Sequence, residues 1–344
     1  MFGLEILKNR LKDAPKTSGV YLFKNKKDIP IYIGKAINIK RRLSNYGNLP
    51  KLPRRLQKMV SQTVNIDFEL TESERNALLL EALLIKKFSP RYNIRLKDDK
   101  SFPLIKITNG DFPRLTRFRN DFSNEDKVFG PFTSALKTDR VIKILQKSFK
   151  LRSCNDLEFK NRNRPCLLYD LKQCSAPCVS KVSQNDYKSQ VSDTVKFFQG
   201  NQKKIFDKLE KQMVYFSESQ NYEKAAELRD SIQSLNYIIR EEVKISTQET
   251  NFDFIYINDK KYFSIYIGFI RYGRYLGGNL IYYSEKFEED IDPTSLIIQF
   301  YLKSFRPNKI IISKKISGYN ELKSIMKENY KIDVSLKLSL IHIS

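Results

Sequence analysis

Two tyrosines, a lysine and an arginine near the start of the chain are spaced so that they could act together on a phosphodiester bond. Tyr21 and Tyr32 lie in two short segments that alternate apolar and aromatic residues, and Lys35 and Arg42 follow the second segment. Hydroxyl groups can position or deprotonate an attacking water, whereas cations stabilise the charge that grows on phosphate oxygens. The four residues therefore predict a small site that cuts phosphodiesters.

The elements that would position these side chains are two β-strands joined by a polar loop at residues 24–30. The alternating apolar positions are Val20, Leu22, Ile31 and Ile33. This alternation predicts strands with one apolar and one aromatic face, so that Tyr21 and Tyr32 share a face. Gly34 beside them is predicted to leave room for a nucleic-acid backbone to approach closely.

A basic amphipathic helix is predicted over residues 37–46, directly after the hairpin. It carries Arg42 and ends at Tyr46. Further cations follow at Lys51, Arg54, Arg55 and Lys58. The alternative for any one of these cations is a solvated helix face without a chemical role, because polar residues commonly cover exposed helix surfaces.

One acidic residue, Glu81, interrupts an otherwise apolar helix. Thr71 and Glu74 fit a capping box, which predicts that the helix begins there. Glu81 shares a helical stripe with apolar residues, so its carboxylate is predicted to face packed surface. A buried carboxylate is costly without a partner and should therefore lie near a cation. The alternative is that Glu81 lies at the one wet edge of this helix.

Composition indicates a multi-module protein that meets phosphates. The 344 residues are 41% hydrophobic, enough for two to four modules, and 62 Lys and Arg against 39 Asp and Glu give a formal net charge of +23. An anionic membrane surface is the rival partner. No apolar run approaches the length that spans a bilayer, and the first residues lack an apolar signal core, so a cytoplasmic protein is expected.

Histidine occurs once, as His342. This excludes His-dependent nucleases, Ser-His-Asp hydrolases and His-ligated zinc enzymes for everything before that residue. Hydrolytic chemistry must therefore use tyrosine, carboxylate, lysine or metal-bound water.

All four cysteines are clustered, which indicates one shared site. Cys154, Cys166, Cys174 and Cys178 are separated by eleven, seven and three residues. Disulfides are not expected in a reducing compartment, and four thiolates suit zinc or an iron–sulfur cluster. Four free cysteines are the alternative.

Two stretches beyond the cysteines are strongly periodic. Residues 202–240 have helical periodicity broken at 219–221, which predicts two antiparallel helices with little core of their own. Their apolar faces either bind a partner or pack on the rest of this chain. Residues 252–283 predict three strands, 296–305 a helix and 309–312 a strand, which together form an α/β fragment.

Three groups of residues together resemble the UvrC family of bacterial nucleotide excision repair. The runs Gly19–Tyr21 and Tyr32–Gly34 look like the motif of the GIY-YIG nuclease module. The segment 164–178 and the run 222–230 resemble the family's cysteine region and its UVR motif. The three groups occur in the family's order.

The resemblance implies an α/β multidomain fold. Its parts are a small α/β GIY-YIG nuclease domain at 13–97, a connector at 98–150, a cysteine-cluster region at 151–200, an α-helical UVR hairpin at 202–240 and the N-terminal part of an RNase H-like α/β domain at 251–335. Residues 338–344 match nothing expected of the family and are predicted to be an atypical tail.

The resemblance also implies roles for individual residues. Glu81 would hold a single divalent metal ion, Mg²⁺ or Mn²⁺, and Tyr32 would act as general base on the attacking water. Arg42 would contact the scissile phosphate. The remaining residues of the implied site are Tyr21, Lys35, Tyr46 and Asn93.

Cofactors and partners follow from the same resemblance. Cys154, Cys166, Cys174 and Cys178 would hold a 4Fe–4S cluster, with Zn²⁺ as the alternative. Residues 202–240 would bind UvrB, the substrate would be damaged double-stranded DNA, and UvrA would be a functional partner. No membrane is implied.

One departure from the family pattern limits what is expected. No Asp-Ile-Ser-His run appears, so the family's 5′ incision centre is missing and only the 3′ incision is expected. Two alternatives remain open. The chain is either a catalytically inactive remnant that binds DNA and UvrB, or a UvrC-like single-incision nuclease.

Overall fold

The computed structural model describes most of the chain. The described residues are 2–93, 102–119, 127–132, 134–240, 243–244, 251–259, 262–286, 292–302, 304 and 306–336. The predicted tail at 338–344 lies outside them. The chain divides into two compact units. One comprises Met1–Asp99, Ile255–Tyr266 and Leu280–Ser339, and the other comprises Lys100–Phe254, Ile267–Asn279 and Leu340–Ser344.

The first unit begins with a three-stranded antiparallel sheet and four helices. The elements are α1 (Phe2–Lys12), β1 (Gly19–Lys24), β2 (Pro30–Ala36), α2 (Ile39–Asn45), α3 (Arg54–Gln62), β3 (Asn65–Leu70) and α4 (Glu74–Phe88). The strand order is β2-β1-β3, with β1 antiparallel to both neighbours. The predicted hairpin of β1 and β2 is therefore confirmed.

Both faces of this sheet are buried, each under different helices. Val20, Leu22 and Ile33 pack with Ala77 and Ile85 of α4 on one face. On the other face, tyrosine and phenylalanine rings pack with residues of α1, α2 and α3. The predicted alternation of an apolar and an aromatic face is confirmed, and it results in two cores, one on each side of β1.

The second unit contains a small sheet and most of the helices. Its elements are β4 (Leu104–Ile107), β5 (Leu115–Phe118), β6 (Lys127–Phe129), α5 (Ala135–Ser148), α6 (Asp156–Lys160), α7 (Leu167–Asp170), α8 (Gln184–Phe198), α9 (Gln202–Glu218), α10 (Tyr222–Arg240) and β7 (Val243–Lys244). The order β5-β4-β6 is antiparallel. Helix α5 packs on this sheet, and the same core continues through α8, α9 and α10.

The last part of the chain forms a larger sheet with two helices. Its elements are β8 (Phe252–Asn258), β9 (Tyr262–Arg271), β10 (Arg274–Lys286), α11 (Pro293–Tyr301), β11 (Lys309–Ile312), α12 (Tyr319–Tyr330) and β12 (Asp333–Leu336). The strand order is β12-β11-β8-β9-β10-β7, and β11 and β12 are parallel. The predicted strands at 252–283 and 309–312 are confirmed, whereas the helix begins and ends earlier than predicted.

Among the helices that the structure describes, none combines the length and the apolar composition that a bilayer crossing requires.

Candidate active site

Three tyrosine hydroxyls and a guanidinium form one hydrogen-bonded group on the aromatic face of the sheet. The hydroxyl oxygens of Tyr21 and Tyr46 are 2.9 Å apart, and Tyr46 Oη donates to Tyr32 Oη at 3.3 Å. Arg42 Nε donates to Tyr21 Oη at 3.4 Å. The fold thus brings together four residues that the sequence placed in one site.

Strand register and a short helix explain this convergence. Tyr21 lies opposite Gly34 and Phe23 lies opposite Tyr32 in the β1–β2 ladder, so their side chains share a face. The Asn38 side chain caps α2 by accepting from the Arg41 backbone N–H. The helix that follows the cap carries Arg42, and Tyr46 at its C-terminal end turns its ring onto the same face.

The space beside Gly34 is filled by protein, which contradicts the role predicted for this glycine. A Cβ atom at residue 34 would overlap the hydroxyl and the ring of Tyr21. Gly34 therefore makes room for Tyr21, which is only 1% exposed, and does not open a path for a nucleic-acid backbone. Sequence cannot separate these two uses of a glycine, because both require a missing side chain.

Gly34→Ala is expected to destabilise the protein by about 1–3 kcal/mol and to lower cleavage of DNA at least about tenfold, because the added methyl group displaces the Tyr21 hydroxyl. Thermal denaturation and a cleavage assay measure the two effects. Gly47→Ala is the control, since the nearest atom to its added methyl group is Ser44 O at 3.2 Å. Equal effects of the two substitutions would contradict the proposed role of Gly34.

Burial determines the protonation of Tyr21. The pKa of Tyr21 is raised by burial, although Arg42 and the hydrogen bond with Tyr46 oppose the shift. Tyr21 is therefore a neutral phenol near pH 7 and can donate a hydrogen bond.

Glu81 lies on the other side of β2, on helix α4. The helix is capped by Ser73, whose side chain accepts from Asn76 N, so the predicted capping by Thr71 is wrong. Thr71 instead donates its hydroxyl proton to Ser73 O or to Ser18 Oγ. The helix therefore begins two residues later than a cap at Thr71 predicts, because the Ser73 side chain serves the same purpose.

The Glu81 carboxylate is buried, as the sequence predicted, and one of its oxygens is unsatisfied. Glu81 is 8% exposed, and Oε1 accepts from the backbone N–H of Lys35 at 3.0 Å. Oε2 is buried and makes no hydrogen bond of normal geometry with the described residues, although the Ser295 hydroxyl lies near the carboxylate and favours its charged form. Burial and the charge of Asp292 raise the pKa of Glu81 to about 7, against the opposing charge of Lys35.

The Lys35 ammonium lies between carboxylates. Lys35 Nζ is 3.3 Å from Asp292 Oδ2 and 3.7 Å from Glu74 Oε1. Although burial lowers the pKa of Lys35, the charges of Asp292, Glu81 and Glu74 outweigh it and raise the pKa. Lys35 is therefore a fixed cation that protein carboxylates already neutralise.

Asn93 is placed next to the site but makes backbone contacts. Its Oδ1 accepts from Ile33 N at 2.8 Å, and its Nδ2 donates to Ile33 O at 2.6 Å. The amide thus pairs with β2 as a neighbouring strand would, between Tyr32 and Gly34. This geometry makes Asn93 a positioning residue that holds the strand carrying the tyrosine.

Sequence reasoning missed Asp292 as a neighbour of the site. Asp292-Pro293-Thr294 has the composition of a helix start, and Asp292 does cap α11 by accepting from Thr294 N. This local signal predicts the helix. Nothing local indicates that the helix lies beside Glu81, more than two hundred residues earlier.

The four cysteines are free thiols in the structure. Burial raises the pKa of Cys174 to about 11, and the other three thiols contribute to this shift, so the four lie near one another. Within the described ranges, however, no three or more His, Cys, Asp or Glu residues are arranged to hold a metal ion. The structure therefore gives no support to the predicted iron–sulfur or zinc site.

Family models match three segments of the chain. A UvrC-like GIY-YIG domain matches residues 17–94, the middle domain of the UvrC/Cho excinuclease matches 102–197, and the UvrB/uvrC motif matches 203–238. These segments contain the tyrosine group and Glu81, the cysteines, and helices α9 and α10.

Curated relatives match nearly the whole chain. UvrABC system protein C of Rickettsia felis is 39% identical over 345 residues, covering 98% of this chain and 53% of the relative. The protein of the same name from Rickettsia bellii is 41% identical over 326 residues, covering 93% of this chain and 51% of the relative. The chain thus spans about half the length of these relatives.

Among solved structures, a similar one is the GIY-YIG N-terminal endonuclease domain of UvrC from Thermotoga maritima, bound to its catalytic divalent cation, magnesium. The two sequences are 38% identical where they match, and the match covers 26% of this chain and 96% of the solved domain, with a TM-score of 0.24. Three matching family models and relatives at about 40% identity lead to one conclusion: this chain belongs to the UvrC family and contains its GIY-YIG endonuclease domain.

Proposed function

We propose that this chain acts as the C subunit of a UvrABC-type excinuclease and hydrolyses a DNA phosphodiester 3′ of a lesion. The reaction would take place on a complex of UvrB with damaged double-stranded DNA and would use one divalent metal ion. The supporting evidence is the family membership and the arrangement of Tyr21, Tyr32, Tyr46, Arg42 and Glu81. Because the chain spans about half of its relatives, the activity of the whole protein is part of this proposal.

The direction of the hydrogen-bond chain is the observation that carries the proposal. Each hydroxyl has one proton, and Tyr46 donates its proton to Tyr32, so Tyr46 must accept from Tyr21. Tyr21 in turn accepts from Arg42. Within this group the hydrogen bonds therefore run from the Arg42 guanidinium to Tyr32 Oη.

This direction suits Tyr32 to the role of general base. Hydrogen bonds that are donated to a phenolate stabilise it and lower the pKa of the phenol, which is otherwise about 10. Tyr32 can then take the proton of an attacking water. Because Tyr21 remains neutral, it can accept a hydrogen bond from Arg42 and donate one to Tyr46, so the charge of Arg42 polarises the hydroxyls along the chain. Arg42 also stabilises charge on the phosphate oxygens.

The unsatisfied oxygen of Glu81 fits a hard divalent cation. Carboxylate oxygens are the ligands that Mg²⁺ and Mn²⁺ prefer, and Mg²⁺ keeps several of its waters when one carboxylate binds it. Glu81 Oε2 would be this ligand, while Oε1 is kept in place by the Lys35 N–H. When bound, the metal would neutralise phosphate charge and lower the pKa of a coordinated water.

We further propose that α9 and α10 bind UvrB through their free ends. The base of this pair packs in the core of its own unit through Ile205, Leu209 and Leu235. Apolar side chains at the far end are exposed: Val214 by 49%, Tyr215 by 66% and Tyr222 by 66%. The match of residues 203–238 to the UvrB/uvrC motif supports this assignment.

Several finer predictions stay as proposals. The division at 13–97, 98–150, 151–200, 202–240 and 251–335 is retained, except that the described part of the connector has its own sheet and shares a core with later helices. An RNase H-like character for the last sheet remains a prediction. The iron–sulfur cluster also remains a prediction, and no step of the mechanism involves it.

Mapping of cuts on a duplex with one bulky lesion tests the proposed function. The chain is incubated with UvrA, UvrB, Mg²⁺ and DNA that is end-labelled on each strand in turn. A single nick 3′ of the lesion, absent when UvrB is omitted, is the expected result. A pull-down with UvrB accompanies the assay. Binding to UvrB without any nick would instead identify the chain as an inactive remnant.

A further inference from the structure

We infer that the nuclease site is closed by a later segment of the same chain: the Asp292 carboxylate pairs with the Lys35 ammonium, and the start of α11 covers Glu81. DNA phosphate and metal then reach these two residues only after α11 moves away from α4. This inference rests on the proposed nuclease function. It concerns residues of the first compact unit only.

Asp292 is held rigidly in front of Lys35. One carboxylate oxygen, Oδ1, accepts from the backbone N–H of Thr294 at 2.9 Å and caps α11. The other oxygen, Oδ2, is 3.3 Å from Lys35 Nζ. A carboxylate fixed at this distance occupies the place that a phosphate oxygen would take. Phosphate and Asp292 therefore compete for the same cation.

The metal-binding oxygen is inaccessible in this arrangement. Glu81 Oε2 is buried, and α11 contributes Asp292 and Ser295 to its surroundings. Ser295 is 5% exposed. A hydrated divalent cation needs room for its waters, so it cannot bind Glu81 while these residues stay in place.

Further contacts along α4 hold the covering segment. Arg75 Nη1 pairs with both carboxylate oxygens of Glu328 on α12, at 2.6 and 2.7 Å, and also donates to Ser324. At the other end of α4, Lys86 Nζ donates to Leu302 O at 3.3 Å. These contacts are polar and partly exposed, so each contributes little by itself. Residues Thr294–Tyr301 of α11 are all buried, so movement of the segment away from α4 must also give up part of their packing.

Asp292→Asn in the full chain tests the inference. Asparagine caps a helix as well as aspartate does, so α11 keeps its start, while Lys35 loses its ion pair with Asp292 and keeps the one with Glu74. Asp259→Asn is the matched control, because it also removes one carboxylate from an ion pair, with Lys314, away from the site. Mn²⁺ affinity is measured by the electron paramagnetic resonance signal of the unbound ion, and DNA affinity is measured in EDTA.

The expected result is Mn²⁺ binding about three- to tenfold tighter in Asp292→Asn, because the open form becomes more populated. DNA binding should tighten by a similar factor, and amide hydrogens of α4 should exchange faster. Asp259→Asn should behave as wild type. Glu328→Gln, which loosens α12 without touching Lys35, should change each quantity in the same direction by a smaller factor.

Two outcomes would overturn the inference. Unchanged Mn²⁺ and DNA affinities in both Asp292→Asn and Glu328→Gln would show that the segment does not restrict access. Weaker Mn²⁺ binding in Asp292→Asn would make Asp292 a second carboxylate of the metal site. Mn²⁺ binding to Glu81→Gln separates these outcomes from failure of the proposed function. The proposed metal assignment requires that this substitution abolishes Mn²⁺ binding, and retained binding would contradict that assignment alone.

Discussion

Replacing Glu81 by glutamine is expected to lower cleavage of lesion-containing DNA by about 100- to 1000-fold and to leave DNA binding intact. The physical reason is that the amide removes the negative charge that would bind the divalent ion. The shape of the side chain and the acceptor for the Lys35 N–H are preserved, so the strand that carries Tyr32 stays in place. The loss therefore reports on metal binding and not on misfolding.

Single-turnover cleavage with saturating UvrA and UvrB is the appropriate measurement, because product release then does not limit the rate. Glu72→Gln is the control, since Glu72 is an exposed carboxylate just before α4. A cleavage rate for Glu81→Gln within threefold of wild type, roughly one kcal/mol or less in the barrier, would remove Glu81 from the metal site.

The same substitution is expected to stabilise the metal-free protein at pH 8 by about 2–3 kcal/mol and to have little effect at pH 4. The pKa of Glu81 is raised to about 7 in the folded protein by burial, and its ordinary value is 4.5. Between these two values the folded state binds more protons than the unfolded state. Stability of the wild type relative to the glutamine variant therefore falls as the pH rises from 4.5 to 7, and stays low above 7.

Chemical denaturation of both proteins in EDTA, at several pH values, measures this difference, and the contributions of other titrating groups cancel in it. Divalent metal should reverse the order at pH 8, because a bound cation stabilises the charged carboxylate of the wild type only. A difference that is constant from pH 4 to pH 8 would show that Glu81 titrates as an ordinary exposed carboxyl.

Local patterns predicted the elements near the site well. The alternation in β1 and β2 indicated both strands and the shared face of Tyr21 and Tyr32, because side chains of a strand alternate with a period of two. The periodicity of α4 indicated that Glu81 is buried. The capping residue was misplaced, since Thr71 and Ser73 both have side chains that cap helices.

Patterns failed where the answer depends on distant neighbours. Residues 98–150 were predicted to be a strand-containing connector, and only the structure shows that they share a core with α8, α9 and α10. The same limitation affected α9 and α10. Their apolar stripe is divided between a base that packs in this chain and a far end whose apolar side chains are exposed.

The sequence by itself determined the family, the β-hairpin, the tyrosines and arginine that share a face, and a buried carboxylate on α4. These features follow from residue types at short spacing, which local geometry converts directly into neighbours. The tertiary structure alone decided that Gly34 accommodates Tyr21, that the hydroxyl chain runs from Arg42 to Tyr32, and that Asp292 lies at Lys35. These contacts depend on which helix packs on which face of a sheet, and that choice depends on the packing of the whole core.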